Sequence, residues 1–194
     1  AGGKQNLRRE MLGALARRHA VPVAYTNLVG GNDQLIFPGR SIFFDSGGRI
    51  VAEGASFKED MVLVDLDAHG LGHPPTPHPE EEVWQALVLG LQDYARKCGF
   101  HRAVMGLSGG VDSALTAALA VEALGAQNVT TIYMPSEFSS EQSLTDSEAL
   151  VANLGVEFHT VSIDELRLEM EEALSPMFEG TERGVAEENV QARL

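Results

Sequence analysis

The chain has a single cysteine, Cys98, among 194 residues. One thiol cannot close an internal disulfide, so a reducing cytoplasm is the expected compartment. Positive charge is scarce as well: 14 Lys and Arg stand against 28 Asp and Glu, for a formal net charge of −14 at pH 7. That balance argues against a general nucleic-acid or anionic-membrane surface, since either needs a dense Lys/Arg face to displace counterions. Nucleotides stay open, because a local nest of backbone N–H groups binds phosphate whatever the global charge. No apolar run approaches the roughly 20 residues of a membrane helix. No apolar h-region follows Ala1-Gly2-Gly3-Lys4-Gln5-Asn6, so this stretch does not read as a signal peptide. What is present is ordinary globular usage, 44% hydrophobic and 22% charged, enough for a buried core.

Proline is concentrated. Four of the eight prolines fall between 74 and 79, directly after Gly70-Leu71-Gly72. Such a stretch fits neither a helix nor a central strand, so residues 69–79 read as a linker between a part at 1–68 and a part at 80–194. Its histidines, His69, His73 and His78, have no partner cysteine, and the prolines hold the backbone extended. A solvated linker explains them better than a metal site.

Before the linker, residues 5–19 read as a basic amphipathic helix with Leu7, Met11, Leu15 and Ala14 on one face. A strand is expected at Val21–Tyr25. Ser41–Asp45 and Arg49–Glu53 flank Ser46-Gly47-Gly48 as a hairpin, and Met61–Asp67 is expected to be a last strand. After the linker, Pro79-Glu80-Glu81-Glu82 opens a helix to about Lys97, acidic where the macrodipole favours it. The pattern then alternates: strand at 103–107, helix at 112–124, strand at 129–134, helix at 141–153, strand at 156–161. That order implies an α/β unit with a parallel sheet. Helical, polar stretches follow at 163–175 and 185–194.

Gly106-Leu107-Ser108-Gly109-Gly110-Val111-Asp112-Ser113 lies between a buried strand and a helix, at the carboxyl end where open parallel sheets bind ligands. Two consecutive glycines let the backbone approach an anion, and the following helix adds the positive end of its dipole. Ser108 and Ser113 offer hydroxyls to phosphate oxygens. Asp112, a carboxylate beside phosphates, makes sense with a Mg²⁺ between them. A Walker A loop is excluded because no Lys precedes the Ser, and a dinucleotide fingerprint fails at Ser108. Gly106-Leu107-Ser108-Gly109-Gly110 does satisfy the G-x-S-x-G elbow of α/β-hydrolases, with Ser108 as nucleophile, His159 as base and Asp146 or Asp164 as its orienter. The elbow leaves Asp112-Ser113 unexplained, and only one strand of this sheet precedes it. A bare tight turn explains the glycines alone.

Ser108-Gly109-Gly110-Val111-Asp112-Ser113 resembles the SGGxDS signature of the N-type ATP pyrophosphatases. Within that group, Met134-Pro135-Ser136, Ser139-Ser140, Asp146 and Leu154-Gly155 resemble the segment after the second strand of NAD synthetases. Glu187-Glu188-Asn189-Val190-Gln191-Ala192-Arg193 resembles their E-N-x-Q-A-R segment, whose Asn contacts deamido-NAD. Residues 25–33, Phe37-Pro38-Gly39-Arg40-Ser41 and the hairpin after them look like the C-terminal third of the nitrilase-like glutaminase domain of glutamine-dependent NAD synthetases. The resemblance implies a partial nitrilase-like αββα layer at 1–68 and the first part of an adenine-nucleotide (PP-loop) domain at 80–194. It implies a C–N-bond-forming ligase that amidates deamido-NAD to NAD through an acyl-adenylate, with ATP and Mg²⁺ and with ammonia drawn from glutamine. By the same resemblance, residues 106–113 bind ATP, Asp112 holds Mg²⁺, Asn189 contacts deamido-NAD and Lys4 holds glutamine. A homo-oligomer that passes ammonia between sites is also implied.

There are departures. The family's glutaminase Glu, Lys and Cys lie upstream of the matched region, so no catalytic residue for glutamine hydrolysis is assigned. Cys98 lies in the other half and is expected to be a buried or half-buried structural thiol. Pro38 stands where the family commonly has Asp. The synthetase half lacks the later strands and the Lys/Glu segment that helps bind metal and phosphate. Two incomplete halves joined at a natural linker are expected to be a fragment of a longer protein, and a non-catalytic assembly fragment is the remaining alternative.

Overall fold

Small residues, not large ones, set how the first helix packs. In the computed structural model, which describes residues 4–66, 78–137 and 139–177, α1 (Lys4–His19) buries Gly13 and Ala16. Ala16 forms a core with Ile42 and Phe44, against which Leu12, Val23 and Ile50 are packed. A Cβ at Gly13 would sit 3.1 Å from the Gly48 carbonyl oxygen, so glycine lets the helix close on the hairpin. The face expected from the sequence is the wrong one. Leu7, Met11 and Leu15 are 57%, 62% and 46% exposed, and Ala14 is exposed too. Arg9 fixes the helix rotation instead: its guanidinium reaches both oxygens of Glu53, at 2.8 and 2.6 Å, while Gln5 Nε2 donates to the same carboxylate.

The chain divides into two compact units, Ala1–Gly99 and Phe100–Leu194. In the first, β1 (Val23–Tyr25), β4 (Ile42–Phe44) and β5 (Ile50–Glu53) form an antiparallel sheet in the order β1-β4-β5. The expected hairpin is therefore present. Gly48, at φ 74°, donates to the Asp45 carbonyl, and Asp45 Oδ1 accepts from the Arg49 N–H to close the turn.

A second antiparallel pair, β2 (Val29–Asn32) with β3 (Leu35–Pro38), was hidden by Gly30-Gly31, which carry no alternation. Its signal is the two-residue Asp33-Gln34 turn, where Asp33 takes φ 52°. The strand expected at Met61–Asp67 does not form over 61–66. Among the described residues no strand pairs with it, and Met61 and Leu63 are 84% and 80% exposed. A strand needs a neighbour's ladder, whatever its own propensity.

Helix α2 (Pro79–Cys98) starts with Pro at its first turn and three glutamates, and ends at Gly99 in the left-handed conformation. It belongs to the first compact unit, which therefore runs past the stretch 69–79 expected to be a linker. The reason is a close seat on β2. A Cβ on Gly31 would lie 3.4 Å from the Gly90 Cα, and Asp93 Oδ2 accepts from the Gly31 N–H at 2.8 Å. Lys97 Nζ donates to the Gly31 carbonyl and lies 3.1 Å from Asp93 Oδ2. Both backbone groups of Gly31 are thus satisfied by side chains of one helix.

The second unit alternates as expected: β6 (Ala103–Leu107), α3 (Val111–Leu124), β7 (Val129–Tyr133), α4 (Glu141–Leu154), β8 (Glu157–Thr160) and α5 (Asp164–Leu174). The strands are parallel in the order β6-β7-β8. Alternate β7 residues Val129, Thr131 and Tyr133 are buried, and α3 and α4 each stop at a glycine, Gly125 and Gly155. The residues beyond 177, expected to be helical at 185–194, lie outside the described residues, as do His69 and His73. No described helix is long and apolar enough to cross a membrane.

Asp93 is 7% exposed, and its carboxyl is held well below the usual carboxylate range, first by hydrogen bonds from Arg96, then by the Gly31 N–H and Lys97. A depressed folded-state pKa contributes stability that is complete above the unfolded value near pH 4 and is lost as pH falls below it. Asp93→Ala is expected to lower unfolding stability by about 2 kcal/mol at neutral pH, because a buried N–H is left without an acceptor. The gap from the parent should narrow as pH drops from about 5 to 2, read by denaturant unfolding across that range.

Candidate functional site

β6 ends at Leu107 and α3 begins at Val111, so three residues turn the chain from strand to helix. Gly109 takes φ +75°, and a Cβ there would sit 2.6 Å from both Cα and carbonyl oxygen of Ser143 in α4. Backbone conformation and space both require glycine. Gly110 is different: its φ is −89°, and a Cβ would meet only Ser108 Oγ, at 3.3 Å. As N-cap it carries no side-chain oxygen, so no side chain caps the first turn of α3. An uncapped helix start at the carboxyl end of a strand leaves first-turn N–H groups available to an anion.

The two serines brace this loop. Ser113 Oγ accepts from the Ser108 N–H at 3.2 Å, donates to the Gly110 carbonyl at 3.0 Å and lies 3.1 Å from Ser108 Oγ. Ser108 Oγ in turn accepts from the Gly110 N–H at 3.3 Å. The hydroxyls therefore hold the turn's shape before any ligand is considered. Beside the loop, α3 and α4 bound a cleft of about 400 Å³ lined by Leu107, Gly109, Gly110, Ser113, Asp146 and Asn153.

Ser143, which backs Gly109, was not singled out in the sequence. Its available signal is the cap: Ser140 precedes α4 and accepts from the Ser143 N–H, the usual spacing of a serine N-cap. Ser147, one turn further along α4, is 1% exposed and donates to the Ser143 carbonyl.

Asp112 is exposed on the first turn of α3, and its carbonyl accepts from Thr116 Oγ1. Mg²⁺ keeps most of its waters and takes one or two carboxylates together with phosphate oxygens, a role a lone exposed carboxylate at this position fits. Among the described residues no cluster of three or more His, Cys, Asp or Glu is placed to hold a metal unaided.

The hydrolase constellation is not assembled. His159 is level with Ile132 in β7, which is level with Gly106 in β6, so two strand spacings separate them, roughly 10 Å. His159 Nε2 instead pairs with Glu157 Oε1 at 3.1 Å, and Asp164 accepts from the Glu137 N–H and Arg167. Asp146 does line the cleft, where it accepts from Gln142.

The remaining sequence candidates lie elsewhere or beyond view. Lys4 is the exposed first residue of α1, in the first unit. Asn189 lies outside the described residues. Cys98 is exposed at the end of α2, contrary to the buried or half-buried thiol expected, because α2 buries Asp93 and Ala95 and leaves its last residue on the outer side.

Residues 83–194 match the NAD synthase family. A glutamine-dependent NAD(+) synthetase of Synechocystis sp. is 46% identical over 198 residues, covering 99% of this chain and 36% of that protein. Another, of Thermotoga maritima, is 38% identical over 229 residues, covering 99% and 40%. The solved glutamine-dependent NAD+ synthetase of Acinetobacter baumannii in complex with ADP superposes with a TM-score of 0.91 at 36% identity, over 98% of this chain and 37% of that one. The chain thus spans well under half the length of these relatives.

The unequal demands at the two glycines are measurable. Gly109→Ala is expected to destabilise the second unit by more than about 3 kcal/mol, from positive φ and backbone overlap together. Gly110→Ala should stay within about 1 kcal/mol of the parent. Equal losses in denaturant unfolding would contradict the packing at Gly109.

Proposed function

Because the chain belongs to the NAD synthase family, we propose that it carries the ATP-binding part of an enzyme that converts deamido-NAD to NAD. The carrying observation is the Ser108–Ser113 turn, where Gly109 at φ +75° seats the backbone on Ser143 and presents the uncapped start of α3. In this reading residues 106–113 cradle the β,γ-phosphates of ATP through backbone N–H groups. The nicotinate carboxylate attacks the α-phosphorus to give an acyl-adenylate and pyrophosphate, and ammonia then displaces AMP. The protein's share is positioning and charge stabilisation. A Mg²⁺ bound at Asp112 would neutralise charge on the departing pyrophosphate.

The same reading makes residues 1–68 part of a nitrilase-like glutaminase domain, with 80–194 opening the synthetase. Lys4 is then a glutamine contact, Asn189 a deamido-NAD contact, and the whole protein a cytoplasmic homo-oligomer that passes ammonia internally. Support comes from relatives named glutamine-dependent NAD(+) synthetase that align across 99% of the chain. No observation favours a serine hydrolase over it.

The test is pyrophosphate release from ATP and deamido-NAD by the full-length protein with ammonia supplied. Asp112→Asn is expected to reduce the rate about 100-fold at millimolar Mg²⁺, the scale of losing one charge-stabilising group. Unimpaired release would remove the metal role, and no release by the parent protein would remove the function.

A further inference from the structure

The segment between β7 and α4 is held from behind. It leaves the sheet at Tyr133 and delivers the start of α4, whose Ser143 touches Gly109. Two of its bonds are short-range: the Ser136 N–H donates to Ser139 Oγ and the Ser139 N–H to the Ser136 carbonyl, both at 3.0 Å. Its outer anchor is α5. The Ile163 N–H donates to the Pro135 carbonyl, and the Glu137 N–H to Asp164 Oδ1, each at 3.1 Å.

Arg167 organises that anchor. It is 2% exposed, and its guanidinium meets Glu137 Oε1 at 3.1 Å, Asp164 Oδ1 at 3.4 Å and the Glu171 carboxylate. Two of those carboxylates come from α5 itself, and one comes from the segment. The fork therefore ties the segment to α5, and Asp164 closes the loop by binding both Arg167 and the Glu137 backbone. Burying a guanidinium is a poor route to stability, because desolvation offsets most of the attraction. What a planar fork supplies instead is geometry: fixed directions from one cation to several oxygens.

We propose that Arg167 is a positioning residue for the nucleotide loop. Through Glu137 and Asp164 it holds residues 135–137, which the Ser136–Ser139 bonds tie to the start of α4, hence the seat of Ser143 under Gly109 and the aim of the first-turn amides of α3. This rests on the ATP-binding reading given above.

Full-length protein with ammonia as nitrogen source tests it, with KM for ATP and kcat measured separately and ADP affinity read by calorimetry. Arg167→Lys, which keeps charge but loses the fork, is expected to raise KM for ATP about tenfold while kcat stays within about twofold. Glu137→Gln, at a half-exposed partner, should raise it about threefold and leave KM for deamido-NAD unchanged. If Arg167→Lys fails to fold, Glu137→Gln decides. A merely structural role would lower melting temperature and the active fraction with KM for ATP and ADP affinity unmoved, and that result overturns the proposal. A parent protein that binds ADP but forms no NAD would sink the function while the ADP affinities still decide on Arg167. A parent that binds no ADP would sink both.

Discussion

At Gly109 two stretches of backbone touch with no side chain between them, and the second unit is arranged around that contact. Strand β6 and helix α3 could be joined by many turns. Only a turn with a left-handed glycine lets α4 lie under the loop this closely, since any Cβ would fall 2.6 Å from Ser143 Cα. Once that seat is taken, the serine hydroxyls lock the turn and the cleft between α3 and α4 opens beside it. The chemistry proposed for the loop depends on backbone N–H direction, which is why the chain invests so many bonds in its shape and so few exposed charges.

The first unit solves a different problem. Its strands are three or four residues long, too short to make a large core, and among the described residues its largest fully buried side chain is Phe44. Charged groups with partners therefore do much of the locating. Arg9 and Gln5 converge on buried Glu53, Arg40 is buried with its Nε on Ser56 Oγ, and Asp93 with Lys97 brackets Gly31. Such contacts contribute less stability than apolar burial but specify register and rotation.

What was legible in the sequence follows from which forces are local. The second unit could be read almost element by element, since caps and breakers such as Ser140, Pro135, Gly125 and Gly155 act on neighbouring residues. The turn between β6 and α3 was legible for the same reason: Gly109 and the serines at fixed offsets shape it locally. The face of α1 was not, because Gly13 and Ala16 bury by allowing close approach, while Leu7 and Met11 advertise a core that lies elsewhere. Nor was β2–β3, whose Gly31 is bonded by Asp93 of α2, 62 positions downstream. Met61 to Leu66 has strand propensity, but among the described residues no strand pairs with it.

The bracket on Gly31 also bears on where this chain can be divided. Residues 83–98 of α2 fall within the NAD synthase match, yet they belong to the first compact unit, whose β2 they bond at Gly31. Cutting at the proline-rich linker would give one piece an unpaired N–H and C=O on β2, an open template for another chain's strand, and the other an aspartate and a lysine with nothing to grip. Separation at that point is therefore an aggregation hazard, although the prolines mark it as a boundary in the primary structure.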